Sequence, residues 1–168
     1  MVLETDERNW SRDGLLVSTE KRYLQVDAIN EAMGSEIMWW AKSLPKETLQ
    51  KALDNSLCLG LYILPQKWPA RNANMQQIGL VRLITDDVTF AYLTDVYVLP
   101  EYQGNGLGRW MLECLDEVIK GWPHLRRFVF LTSSIDLYRK TIGAKEWDEC
   151  KNDGIIVGLI EGPGALHV

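Results

Sequence analysis

The strongest periodicity in the chain runs from Leu107 to Trp122. Apolar residues recur at Leu107, Trp110, Met111, Cys114, Leu115, Val118, Ile119 and Trp122. Steps of three and four put all of them on one face of an α-helix, and Gly121 and Pro123 end it. A second stripe, Val26, Ile29, Met33, Ile37, Trp40 and Leu44, keeps the same spacing but is interrupted by Gly34. It predicts a bent helix or two short ones. Pro45 stops this stripe, and Ser43 ahead of Pro45 and Glu47 predicts the start of a further helix reaching about Asn55.

Elsewhere the pattern shortens to apolar runs of strand length. Residues 15–18 follow an Asp13-Gly14 turn, 57–64 are continuously apolar, and 77–85 and 89–98 flank an Asp86-Asp87 turn that predicts a hairpin. Residues 65–74 read as a loop. Phe128-Val129-Phe130-Leu131, within 127–132, predicts a buried strand closing a βαβ unit. Ser133 or Ser134 is placed to cap a helix over 135–142 that Gly143 stops. Residues 144–149 and 155–160 are predicted as closing strands around an Asn152-Asp153-Gly154 turn. The order β, α, α, β, β, β, α, β, α, β, β describes an α/β fold in one domain over residues 1–168.

Composition agrees with a globular domain. With 168 residues, 46% hydrophobic and 24% charged, the chain is neither disordered nor built around a bilayer-length apolar run. The first eight residues carry acidic side chains and no apolar core, so no secretory leader is legible and a cytoplasmic or nuclear location is expected. Cys58, Cys114 and Cys150 form no CxxC pair, and reduced thiols without structural zinc are expected. His124 and His167 lie far from any Ser or Cys resembling a nucleophile, which argues against a triad hydrolase. A net charge of −5 with no basic run argues against a nucleic-acid partner.

The chemistry concentrates in Val96–Gly108, Val-Tyr-Val-Leu-Pro-Glu-Tyr-Gln-Gly-Asn-Gly-Leu-Gly. A strand, a glycine-rich turn and a helix N-terminus form a site for anions, because the first-turn N–H groups point outward and the helix dipole is positive there. The dinucleotide fingerprint fails, since the glycines are Gly104, Gly106 and Gly108 and Arg109 fills the last slot. The P-loop fails too, because no Gly-Lys precedes a Ser or Thr.

Gln103, Gly106 and Gly108 do form Gln-x-x-Gly-x-Gly, preceded by Val-Tyr-Val-x-Pro and followed downstream by Leu137-Tyr138-Arg139-Lys140. This set resembles the coenzyme A signature of the GNAT (general N-acetyltransferase) superfamily, (Arg/Gln)-x-x-Gly-x-(Gly/Ala). The resemblance covers 77–143 by motif and 15–160 by element order. It implies a central, mostly antiparallel sheet, splayed at an acetyl-CoA site, with helices on both faces. The implied activity is transfer of the acetyl group of acetyl-CoA to a primary amine of a small molecule or peptide, by direct attack in a ternary complex, leaving coenzyme A. No membrane partner is implied, and monomer and homodimer both stay open. A non-catalytic acyl-CoA-binding or sensing domain is the rival reading.

The resemblance also assigns roles. Backbone N–H groups of Gly104, Asn105, Gly106, Leu107, Gly108 and Arg109, with the Gln103 amide, would hold the diphosphate. Arg109, Ser134, Arg139 and Lys140 are candidates for further contacts, against the plainer reading of solvated surface groups. The main chain of Val96, Tyr97 and Val98 would pair with the pantetheine arm and offer an N–H to the thioester oxygen. Tyr138 would donate a hydrogen bond or proton to the departing sulfur. An alkylamine of pKa about 10 is only about one part in a thousand neutral at pH 7, so a base or desolvation must help. Asp95 is a candidate base, an ordinary structural aspartate its alternative, and a water chain needs neither. Trp39, Trp40 and Tyr92, with Tyr97 and Trp68, are candidates for the acceptor pocket. Cys114 lies on the buried stripe, which disfavours an acyl-cysteine route. The chain departs from the family where Gly143 stands five residues after Tyr138 and Ala144 replaces an aromatic.

Overall fold

The computed structural model describes residues 7–65, 74–151 and 153–165. Six strands make one sheet in chain order, β1 (Asn9–Arg12), β2 (Leu15–Ser18), β3 (Leu57–Ile63), β4 (Gln76–Thr85), β5 (Phe90–Val98) and β6 (Arg127–Phe130). Neighbours are antiparallel from β1 to β5, and β6 lies parallel to β5. The parallel step needs a crossover, which α3 (Leu107–Lys120) supplies. With α4 (Asp136–Ile142) it packs on one sheet face, against Leu59, Leu61, Val81, Leu83 and Leu93. α1 (Val26–Met33) and α2 (Lys46–Asp54) cover the other face through Ile29, Met33, Leu49 and Leu53, over Cys58, Leu80 and Tyr97.

Local chemistry sets most boundaries. The β1–β2 turn places Asp13 (φ 49°) and Gly14 (φ 76°) in the left-handed region, as a two-residue hairpin loop of primed type requires. Gly34 ends α1. A single 3₁₀ turn, Glu36–Met38, follows it, so the apolar stripe continues without continuing the helix. Asn30 holds the stretch that follows by bonding Leu44 twice: its Nδ2 donates to the carbonyl (2.7 Å) and its Oδ1 accepts from the N–H (2.8 Å). Pro45, not Ser43, occupies the N-cap of α2. Among the described residues no helix is long and apolar enough to cross a membrane.

Three expectations are corrected. Neither Ser133 nor Ser134 caps α4, whose N-cap is Ile135 without a side-chain bond. The Ser134 N–H instead donates to Thr132 Oγ1 (3.1 Å), and that hydroxyl donates back to the Ser134 carbonyl (2.9 Å). Residues 144–149 form no strand. Glu146 and Glu149 make a reciprocal capping box around a 3₁₀ turn at Trp147–Glu149, which satisfies locally the backbone groups a strand would need. Residues 155–160 are not a strand either, and Ile155, Ile156, Val157, Leu159 and Ile160 are 59–95% exposed. An apolar run records a demand for burial without naming the surface that meets it. The sheet gains β1 instead, an edge strand whose Asn-Trp-Ser-Arg sequence carries a single hydrophobic residue, Trp10.

Candidate active site

A wedge opens between β5 and β6. The two strands pair only from Phe90↔Arg127 to Leu93↔Phe130. β6 then stops, while β5 continues to Val98, and no strand of the described residues covers Thr94–Val98 on that side. The β4 side of the same stretch is irregular. Arg82 pairs with Thr94 and Leu80 with Tyr97, so Asp95 and Val96 together face Val81 in a β-bulge. Asp95 takes the left-handed conformation there (φ 44°). The extra residue reverses the alternation. Before it, Ala91 and Leu93 join the α3-side core; after it, Val96 and Val98 do, and Tyr97 turns to the α1–α2 side. The two valines are core residues by side chain and edge residues by main chain.

The glycine turn closes one end of the wedge. Gly104 (φ 81°) and Gly106 (φ 74°) are left-handed, and a Cβ built on Gly104, Gly106 or Gly108 would meet nothing within 4 Å. The helix's own bonds begin with Trp110 N–H to the Gly106 carbonyl (3.0 Å), leaving the N–H groups of 106–109 without helical partners. No side chain caps this end and no acidic residue lies in its first turn. Open space beside the glycines, unpartnered N–H donors and the positive end of the helix dipole suit an anionic group such as a diphosphate. Gln103 is turned inward: its Nε2 donates to the Val98 carbonyl (2.7 Å), bracing the end of β5 and leaving one amide hydrogen free of that bond. Asn105 Nδ2 similarly bonds the Tyr102 and Gln103 carbonyls, and Arg109 pairs with Glu113 along the exposed face of α3 (2.9 Å).

Tyr138 stands at the wedge's vertex. Its ring lies 4.5 Å from that of Phe130, the last residue of β6 paired with β5. Burial raises the phenol above its ordinary pKa, so it stays protonated at neutral pH, and its hydroxyl makes no hydrogen bond among the described residues. Gly143 (φ 69°) closes α4 with Ala144 N–H on the Tyr138 carbonyl (3.3 Å), so the five-residue spacing from Tyr138 is a helix C-terminus of ordinary type. Arg139 is occupied with Glu149 (2.8 and 2.9 Å) and Glu146 (3.5 Å), and both Ser134 and Lys140 are exposed. Cys114 lies inside the α3 core, where burial pushes its thiol up to about 12.

On the α1–α2 side the carboxylate of Asp95 is fully engaged. Arg82 Nε and Nη2 donate to Oδ2 (2.7 and 2.6 Å), while Trp40 Nε1 (3.2 Å) and Thr94 Oγ1 (3.4 Å) donate to Oδ1. Arg82 and Ser56 were not legible as site residues. A lone arginine within Gln-Gln-Ile-Gly-Leu-Val-Arg-Leu-Ile-Thr was the available signal, since a charge inside an apolar strand demands a partner. Trp39 is 56% exposed and stacks edge-on against Trp40 (5.7 Å). Tyr92 pairs with Ile84 and Val129 beyond the bulge, and Tyr97 is buried in the α1–α2 core with its phenol pKa raised by desolvation. Trp68 lies outside the described residues.

Comparison with known proteins follows the same elements. The acetyltransferase (GNAT) family model matches residues 29–144. A Gibberella zeae protein named as a putative acetyltransferase is 46% identical over 99% of this chain and 100% of its own length. Thialysine N-epsilon-acetyltransferase of Sus scrofa is 35% identical over 56% of this chain and 58% of its own. The crystal structure of a putative GNAT-family acetyltransferase from Xanthomonas campestris pv. campestris, 27% identical, aligns over 93% of this chain and 100% of its own with a TM-score of 0.69. The family match spans β5, the glycine turn, α3, β6 and α4, every element that builds the wedge, and the chain belongs to the GNAT family of acetyltransferases.

Proposed function

We propose that this acetyltransferase moves an acetyl group from acetyl-CoA to a primary amine by direct attack, with both substrates bound. The observation that carries the reading is the wedge itself, where an unpaired β5 edge, an uncapped helix N-terminus and a protonated phenol converge. GNAT enzymes use acetyl-CoA as cosubstrate, which supplies an activated acyl group as a thioester. The N–H groups of 106–109 hold its diphosphate, and the main-chain groups of Val96 and Val98 on the open side, apart from the Val98 carbonyl that Gln103 holds, align its arm as a missing strand would. One preorganised backbone N–H facing the thioester oxygen lowers the barrier by about 3 kcal/mol. Tyr138 donates to the departing sulfur; with its pKa raised, stabilisation of the thiolate is favoured over complete proton transfer. Both Asp95 oxygens carry donors, so removal of the amine proton is assigned to solvent.

The acceptor enters from the side of Trp39 and Trp40. The thialysine acetyltransferase among its relatives supports an amine on a short, flexible aliphatic chain. Calorimetry with acetyl-CoA and thiol release with L-lysine, thialysine, spermidine and a lysine peptide test the proposal. Binding together with turnover of at least one amine is expected. Binding without turnover of any would restore the acyl-CoA-sensing reading.

A further inference from the structure

Asp95 carries more structure than a base needs. It is 6% exposed, sits in a left-handed conformation at the bulge, and joins two further elements, β4 and the segment that carries Trp40. Through Arg82 it reaches β4, and Arg82 Nη1 donates to Ser56 Oγ (3.0 Å), whose hydroxyl donates to the Ala52 carbonyl of α2 (2.7 Å). Through Trp40 it reaches the segment after the 3₁₀ turn, which presents Trp39. One carboxylate thus ties down the β5 bulge on the donor side and the indole wall on the acceptor side.

Resting on the acetyl-transfer reading above, we infer that Asp95, ion-paired with Arg82, is a positioning residue that sets the register between the two substrates. It fixes the Val96 main chain through the bulge and Trp40 through the indole N–H. The left-handed backbone suits a short polar side chain such as Asp, and the ion pair with Arg82 holds it in that conformation. The inference separates Asp95 from proton transfer. A carboxylate acting as base would first have to release two sets of donors.

The variants are Asp95→Asn, which tolerates the left-handed region and keeps an acceptor but loses the charge, Asp95→Gly, which keeps only the backbone freedom, and Trp40→Phe, which keeps the ring but loses the N–H. Trp40→Phe leaves no buried charge unpaired and so reports even where an Asp95 variant folds poorly. The acceptor is the amine of the panel above that turns over fastest. Trp40→Phe is expected to raise KM for the amine severalfold and leave the calorimetric Kd for acetyl-CoA within twofold. Asp95→Asn is expected to lower kcat roughly tenfold or more through misplacement, to keep the acidic limb of the kcat/KM pH profile, and to change tryptophan emission. Loss of that limb in Asp95→Asn would make Asp95 the base and overturn the inference. So would wild-type kinetics in both Asp95→Asn and Trp40→Phe. Failure of the wild-type protein to bind acetyl-CoA or turn over any amine would instead remove the reading beneath it.

Discussion

At the scale of single residues, Tyr138 makes the sharpest claim. Its ring packs on Phe130 and its hydroxyl makes no hydrogen bond among the described residues. A neutral donor facing a developing thiolate contributes as hydrogen bonds to charged groups do, about 1.5–3 kcal/mol. Tyr138→Phe should therefore lower kcat roughly 10- to 100-fold while acetyl-CoA affinity by calorimetry stays within about threefold. The sign of the pH dependence follows from the raised pKa. The protonated, donating form persists past the ordinary tyrosine range, so any loss of activity due to this phenol falls on the alkaline side, above about pH 10, and is absent in Tyr138→Phe. Equal turnover of the two proteins across that range would take Tyr138 out of the mechanism. Gln103 shows a different division of labour, since one of its amide hydrogens already braces Val98. What identifies the motif in sequence is in part a structural clamp on the end of β5.

At the scale of elements, the β4–β5 hairpin carries the bulge and must be held in register. Asp86 does this at the turn, accepting from the N–H groups of Val88 (3.0 Å), Thr89 (2.7 Å) and Phe90 (3.1 Å) and from Thr89 Oγ1 (2.7 Å). These donors hold its carboxyl well below the usual aspartate range. A depressed folded-state pKa means the stabilisation is complete above the unfolded aspartate value, near pH 4, and drains away as pH falls below it. Asp86→Ala should lower the urea midpoint at pH 7, with the gap to wild type narrowing at pH 3; a gap constant with pH would refute the linkage. This hairpin, α3 and the glycine turn were legible because each writes its own signal, a period of 3.6 residues, two facing apolar runs, or glycines where φ must be positive. The Arg82–Asp95 pair was not, because partners across a hairpin depend on register, and the bulge shifts register by one. The C-terminal runs misled for the opposite reason. Residues 155–160 are strongly apolar, but pairing is a property of two segments; in the mostly charged 144–149, Glu146 and Glu149, with Arg139 bonded to Glu149, build a local turn instead.

At the scale of the whole molecule, the wedge makes the fold incomplete along one line, and a ligand that completes it should stabilise the protein there. β5 is paired with β4 along both arms of the bulge but with β6 for only four residues, so among the described residues alternate main-chain amides of Thr94–Val98 and the first-turn amides of α3 lack partners on the open side. A ligand binding only the folded state stabilises it by about 2.7 kcal/mol at 100 times its Kd. For a chain of 168 residues that corresponds to a rise in Tm of roughly 5–10 °C. The distribution of that gain is more informative than its size. Hydrogen exchange with acetyl-CoA should slow most at 94–98 and 104–109, and change little in the β1–β2 hairpin, which meets α3 at Trp110 and Glu117 rather than at 104–109. If acetyl-CoA instead acted at some other surface, Tm would still rise but protection would appear elsewhere, or would spread evenly as global opening becomes rarer. Protection confined to the β5 edge and the α3 N-terminus follows only if the cosubstrate lies where the next strand would have been.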